Sequence, residues 1–390
     1  MQSSLFHFFI SGEEKEVFPD SRLYKMLLSG ENTGFPNGIA SEHTTRDVGF
    51  TIGDYFSAVR QFLVKNDFSI LKSGLKVVLN RPVQINKITK IVVFLEKHGA
   101  FYHPLKILVI FNKNQTCSFV LNGAVSRSGL ALIQTEYHLI SSLNKAQSKH
   151  YLPQVFGLDS IKTDKGKIGF FLGEWFEGYK EFHVTEDPDK RQIVIWESDG
   201  SCHYISETDA LKIYQEISRI LTYYYDLETF EQIYPWHHAA GDFIVRQEEG
   251  SLHVRLITVR GYASLREFTA EKEDKKVHIL PSLLLFFMNL TLRMRIDRLN
   301  GTGKIHLLEK RVIKASVEGF LKALDEKSTL YDFGDLRAVF TEFFRQFSLG
   351  QIIEIMENIL ESHYHDPSEI RLIGEDLDSH CKTLHFAFNI

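Results

Sequence analysis

Cysteine is scarce: the chain of 390 residues has three, Cys117, Cys202 and Cys381, far apart and in no CxxC pair. That excludes a disulfide framework and a cysteine-built zinc site, and it fits a reducing compartment. A basic surplus is also missing, because 45 Lys and Arg stand against 50 Asp and Glu for a net charge of −5. The chain therefore lacks the electrostatic footprint of a nucleic-acid binder or of a protein drawn to anionic membranes. The basic cluster Lys272 to Lys276 is interleaved with Glu273 and Asp274 and reads as a solvated loop. Long apolar runs are absent too. The longest, Ile279 to Leu292, is too short to span a bilayer and is interrupted by Pro281, Ser282 and Asn289. Met1 to Ile10 has no basic flank and runs directly into Gly12-Glu13-Glu14, which does not suit a signal peptide. A cytoplasmic location is expected, with neither nucleic acid nor membrane among the partners. No internal repeat or low-complexity tract is apparent.

What the chain has in quantity is aromatic side chains, 13% of residues with 31 Phe, and enough length for two or three cores. Residues 1–48 are punctuated by Gly30, Gly34, Pro36 and Gly38 and read as loop-rich. From Thr51, a candidate cap, apolar residues Ile52, Tyr55, Phe56, Val59, Phe62 and Leu63 recur at helical spacing, and a second apolar segment covers 70–79. Three β-branched and aromatic runs follow, at 91–95, 105–111 and 118–121, separated by turn sequences. A helix is expected over 130–143, then a strand pair entered at Leu152 and leaving through Glu174-Trp175-Phe176-Glu177-Gly178.

A hairpin is expected at 192–205 with Asp199-Gly200 as its turn, then a helix from Thr208 to Tyr225. The stretch Tyr234-Pro235-Trp236-His237-His238-Ala239-Ala240-Gly241-Asp242 reads as a polar loop feeding strand 243–246, with a Gly250 turn and a second strand 252–260. Beyond Pro281 the pattern is helical over 281–299, 308–325, 335–347 and 349–363. This segregation of strands and helices predicts an α+β fold in two lobes. Its parts are a loop-rich N-terminal extension with a helix (1–85), a small lobe with a five-stranded antiparallel sheet and one helix (86–178), and a mainly helical large lobe carrying a central β-hairpin (179–390).

The order of these elements resembles the protein-kinase-like fold in the version used by aminoglycoside phosphotransferases and choline kinases, over roughly residues 86–345. The resemblance implies a nucleotide site. Asn122, in Ser118-Phe119-Val120-Leu121-Asn122, stands where the family's third strand carries its phosphate-binding Lys. Glu136 stands where the small-lobe helix carries the Glu that pairs with that Lys, and Glu174 opens the hinge. Aligning on the apolar strand puts Asp242 at the family's metal-binding Asn and His237 at the catalytic base. Thr258, in Leu256-Ile257-Thr258, then falls where the metal-binding Asp belongs. In the alternative register Asp242 is the base and Gln247 takes the metal position. The glycine-rich loop is reduced to Lys97-His98-Gly99-Ala100 with its single glycine.

Phosphoryl transfer depends on positioning and neutralising phosphate charge, and here the Lys, the metal Asp and the glycine loop are absent or replaced by neutral groups. The expected function is thus a catalytically degenerate kinase-like protein that serves as a binding or regulatory module for a small molecule or a protein partner. The first alternative is an active small-molecule phosphotransferase with a rearranged site. It would use Asp242 or His237 as base, Arg260 in place of the missing Lys, ATP as cofactor, and Mg²⁺ held by Asp242. The second alternative is an assembly component that uses the C-terminal helices 335–363.

Bland readings compete at each site. One of His237 and His238 packs the loop with Trp236 while the other makes a structural hydrogen bond. Arg260 pairs with Asp242 or Glu136. Asp297 and Arg298 form intrahelical ion pairs. His363, His365, His380 and His385 are of a type that suits zinc, but they lack any ligand spacing that holds it.

Overall fold

In the computed structural model the described residues are 5–28, 49–96, 102–112, 115–186, 191–197, 201–236, 238–248, 250–265, 275–301, 303–329, 331 and 334–389. His237, most of the expected glycine loop, the Asp199-Gly200 turn, the Gly30–Gly38 stretch and Lys272 to Asp274 lie outside them. The chain divides into two compact units, Met1–Glu177 and Gly178–Ile390.

The N-terminal unit contains β1 (Phe6–Ile10), the short α1 (Arg22–Lys25), α2 (Ile52–Val78), β2 (Ile88–Leu95), β3 (Leu105–Phe111) and β4 (Thr116–Ala124). After these come α3 (Arg127–Ala146), β5 (Val155–Thr163) and β6 (Gly166–Glu174). Its sheet has six strands in the order β1-β2-β3-β4-β6-β5. This corrects the expectation of five antiparallel strands: β1 joins the edge in parallel, Phe6 opposite Ile91 through Ile10 opposite Leu95. The physical reason is burial, since that register turns Phe6 into the same core as Ile91. The other five strands are antiparallel, with α3 inserted between β4 and β5.

Two helices cover the sheet. Along β3, Leu105, Ile107, Val109 and Phe111 are buried and alternate with half-buried residues, the period of a strand with one core face. The core formed on that face takes Tyr55, Phe56, Val59, Phe62 and Leu63 of α2 against Ile91, Val93, Phe119, Leu121, Phe170 and Leu172. Each large apolar side chain so buried contributes roughly 1.5–3 kcal/mol before the cost of ordering the chain. The start of α2 is fixed by a capping box: Thr51 Oγ1 accepts from the Asp54 amide at 3.1 Å, and Asp54 Oδ2 accepts from the Thr51 amide at 2.7 Å. The helix is broken once, at Lys65–Phe68, where Asn66, Asp67 and Phe68 take left-handed φ between 49° and 60°. This break separates the two apolar segments evident in the sequence. Helix α3 supplies Ile133 to a second, smaller cluster with Ala124 and Phe171.

The C-terminal unit begins with a three-stranded sheet, β7 (Phe182–Glu186), β8 (Arg191–Trp196) and β9 (Cys202–Tyr204), where a two-stranded hairpin is expected from sequence. It continues with α4 (Glu207–Tyr223), β10 (Glu231–Ile233), α5 (Ala239–Asp242), β11 (Phe243–Glu248), β12 (Ser251–Leu256) and β13 (Tyr262–Ser264). The remainder is α6 (Ile279–Arg293), β14 (Ile296–Arg298), β15 (Ile305–Leu307), α7 (Arg311–Lys327), α8 (Leu336–Arg345), α9 (Leu349–His363) and α10 (Pro367–Phe388).

Helices α4 and α7 meet closely at Gly319, where an added Cβ would lie 2.0 Å from the Gln215 carbonyl. Ser218 Oγ bonds across the same contact to the Ser316 carbonyl at 2.6 Å. Helix α6 is apolar nearly all round, as a helix buried on every side must be. Phe287 at its centre touches Phe320, Phe340, Phe344 and Phe388 of α7, α8 and α10. The expected helix 281–299 ends six residues early, at Arg293, because Ile296–Arg298 pairs with Ile305–Leu307 instead. Among the described residues no helix is long and apolar enough to cross a membrane.

Candidate functional site

The loop from β10 to β11 is pinned at both ends. Tyr234-Pro235 is a cis peptide bond, and the Tyr234 amide donates to the Gly261 carbonyl at 3.1 Å. Gly261 can have no side chain there, since a Cβ would lie 2.4 Å from the Tyr234 carbonyl oxygen. Trp236 and His238 are buried, and the chain then makes the single helical turn Ala239–Asp242 before entering β11. At its exit the Asp242 carbonyl accepts from the Ile257 amide at 3.0 Å, so β11 and the segment after β12 run side by side.

That pairing brings Asp242 and Arg260 together. Asp242 is 0% exposed and the Arg260 side chain 14%. Arg260 Nη1 donates to Asp242 Oδ2 at 2.9 Å, and Nη2 donates to Oδ1 at 2.6 Å. The planar guanidinium thus engages both carboxylate oxygens in the fork geometry that gives the strongest and most directional ion pairs. Of the two partners sequence offers Arg260, the structure selects Asp242. Gln247, the metal position of the alternative register, is exposed on β11 opposite Leu252.

A second carboxylate lies beneath the same loop. Asp297, expected on a helix with an intrahelical partner, is instead at the centre of β14 and 1% exposed. Its Oδ1 accepts from the Arg298 amide at 2.7 Å. Burial pushes its carboxyl up to about 7; the Arg298 and Ala240 amides and the nearby His183 work in the other direction and do not prevail. His183 on β7 lies against Gly301, whose φ of 76° and lack of Cβ leave room for the imidazole. Tyr214 of α4, fully buried, is coupled to Asp297 and is driven well above the ordinary phenol range by burial. This Asp297–His183–Tyr214 group was open to discovery in the sequence through Asn300-Gly301. That dipeptide is a hairpin signal, and both residues adopt the positive φ that such turns need.

Other residues assigned by resemblance lie as follows. Asn122 is on β4 opposite Phe171, half-buried. Glu136 is buried on α3. Glu174 ends β6, with its Oε2 accepting from the Gln154 amide at 3.1 Å. These three belong to the N-terminal unit, whereas Asp242, Thr258 and Arg260 belong to the C-terminal one. Thr258 is half-buried in the segment after β12.

Of the histidines considered for zinc, His380 has structural partners. His380 is buried in α10, with Nε2 3.1 Å from Thr291 Oγ1 and Nδ1 3.4 Å from Arg295 Nη1. Burial, then the Arg295 charge, holds it down at about 3, so it is neutral. Among the described residues no group of three or more His, Cys, Asp or Glu could hold a metal ion. No protein-family model matches the chain, and no curated protein sequence matches it.

Proposed function

We propose that the chain is a catalytically degenerate kinase-like protein that binds a ligand or a partner and does not transfer phosphate. The observation that carries this reading is the bidentate Arg260–Asp242 pair, which occupies the carboxylate at the position where the family resemblance expects a metal ligand. Support for the kinase-like part comes from the N-terminal unit, where one helix is inserted after the third of five antiparallel strands and carries a buried Glu136. Further support comes from the C-terminal unit, where a loop rich in His and Asp feeds an antiparallel β-hairpin. A phosphotransferase needs charge-neutralising groups aimed at the nucleotide phosphates. Asn122 and Thr258 carry no charge to supply, and the charge of Arg260 is spent on Asp242.

Isothermal titration of the full chain with ATP, with and without Mg²⁺, tests the reading. The expected result is no Mg²⁺-dependent increase in affinity. A Mg²⁺-dependent gain of tenfold or more, removed by Asp242→Ala, would show that the carboxylate does hold a metal and would overturn it.

A further inference from the structure

The N-terminal unit contains a pocket of about 360 Å³ that the loop around Asp242 does not explain, lined among others by Lys106, Thr116, Cys117, Ser118, Trp175 and Glu177. It forms where β4 outruns β6. The β4–β6 ladder stops at Phe119 opposite Glu174, so among the described residues Thr116, Cys117 and Ser118 have no strand partner on that side. Backbone groups of an antiparallel strand alternate between its two neighbours. Because the Phe111 amide donates to the Gln115 carbonyl at 2.8 Å, Gln115 and Cys117 turn their backbone groups to β3. Thr116 therefore turns its groups to the open side, where a ligand would find both a donor and an acceptor.

The side chains add charge to that edge. Lys106 lies across from Val120 and Leu108 across from Ser118, which puts Lys106 and Ser118 on one face of the sheet. The Lys106 ammonium sits 4.6 Å from the centre of the Trp175 ring, and among the described residues no carboxylate is within ion-pair distance of it. Ser118 is 7% exposed and lines the pocket on the same face of the sheet as Lys106. Glu177, which also lines the pocket, is exposed and carries the opposite charge, as does Glu174, whose Oε2 accepts from the Gln154 amide. The Cys117 thiol is pushed up to about 11 by burial and by Glu177, so it stays protonated near neutrality and brings no nucleophile to the pocket.

A cation, a hydroxyl, open strand-edge groups and carboxylates lining one pocket match a molecule that bears both charges. We propose that this notch binds a small zwitterion of amino-acid or dipeptide size. Its carboxylate is received by Lys106 and the Ser118 hydroxyl, and its ammonium by Glu177 and a strand-edge carbonyl. The volume is in the range of small-molecule sites. This gives a ligand class to the binding role proposed above, but it uses only residues of the N-terminal unit, so the two ideas can fail separately.

The test is a thermal-shift titration of the full chain with each of the common amino acids and their glycyl dipeptides, followed by calorimetry on the best binder. At least one compound is expected to raise Tm in a dose-dependent way. Lys106→Met keeps the stem on Trp175 and removes the charge, and it is expected to weaken that Kd tenfold or more. Ser118→Ala is expected to weaken it by roughly three- to tenfold, the worth of one hydrogen bond. Lys322→Met, on α7 of the other unit, should leave it unchanged. If Lys106→Met does not fold, Lys106→Gln makes the same comparison. No shift with any compound, or an affinity indifferent to a folded Lys106 variant, overturns the proposal. So does equal binding of acetate or inorganic phosphate, which would make the notch a bare anion site. Absence of binding would leave the account of Asp242 untouched, whereas ATP turnover with amino-acid binding intact would overturn only that account.

Discussion

Arg260 and Asp242 form a two-point ion pair, 2.6 and 2.9 Å, between a fully buried carboxylate and a nearly buried guanidinium. Breaking one side of such a pair leaves a buried charge that has lost its two-point partner. Arg260→Ala should cost roughly 3–5 kcal/mol of stability. Arg260→Lys should cost less but still register, since an ammonium cannot match both oxygens. Replacing both partners, Asp242→Leu with Arg260→Met, should cost less than Arg260→Ala alone. Urea denaturation of the three variants checks this order, and an Arg260→Ala loss under about 1 kcal/mol would mean the pair contributes little.

Asp297 makes stability depend on pH. Its carboxyl rises from 3.8 to about 7 on folding, so between those values the unfolded chain is ionised while the folded chain keeps its proton. The unfolded state then binds fewer protons, and stability falls as pH rises from about 4 to about 7, before levelling off. Three units correspond to a loss of roughly 4 kcal/mol. Asp297→Asn removes the titration, so its stability should not show this decline, and its advantage over the native chain should grow across that interval. Chemical denaturation at pH 4.5, 6 and 8 measures it; parallel curves for the two proteins would refute the assignment.

Lys327 gives the opposite trend at higher pH. Its Nζ donates to the Tyr225 carbonyl at 2.5 Å, and burial holds it down at about 8, against 10.5 when exposed. Between those values the unfolded chain binds the extra proton, so this residue makes stability rise with pH from about 8 to about 10.5. Lys327→Met should abolish that rise. A rise that persists in the variant would assign it to another group.

Gly123 on β4 is fixed by a side chain from α2. An added Cβ would lie 1.9 Å from Tyr55 Oη, which donates to the His103 carbonyl at 2.5 Å. Gly123→Ala should cost roughly 2–4 kcal/mol through overpacking and loss of a buried hydrogen bond. Adding Tyr55→Phe removes the clashing hydroxyl and should recover part of the loss. Thermal melts of the single and double variants decide the matter, and a double variant less stable than Gly123→Ala would contradict the geometry.

Local chemistry was readable wherever it acts over a few residues. Thr51 caps α2 as its position before an apolar helical pattern predicts, and the alternation in β3 and the run in β4 mark their strands. Contacts far apart in sequence left no such trace. Nothing near Phe6–Ile10 indicates that it pairs in parallel with β2, more than 80 residues on. Beyond the last helix expected from sequence, Pro367 opens α10, capped by Asp366, because proline suits the first turn of a helix. At the candidate site the Asp242–Arg260 pairing is legible from two opposite charges beside one hairpin. For Asp297 the dipeptide Asn300-Gly301 signals the β14–β15 hairpin, but nothing local says that the hairpin lies beneath the loop.

The most direct measurement is phosphate release from ATP by the full chain in the presence of Mg²⁺, with Asp242→Ala as the paired control. The account predicts a rate no higher than that of the buffer, equal for both proteins. Release that depends on Mg²⁺ and is lost in Asp242→Ala would contradict it, because the carboxylate held by Arg260 would then have to open and take part in the reaction.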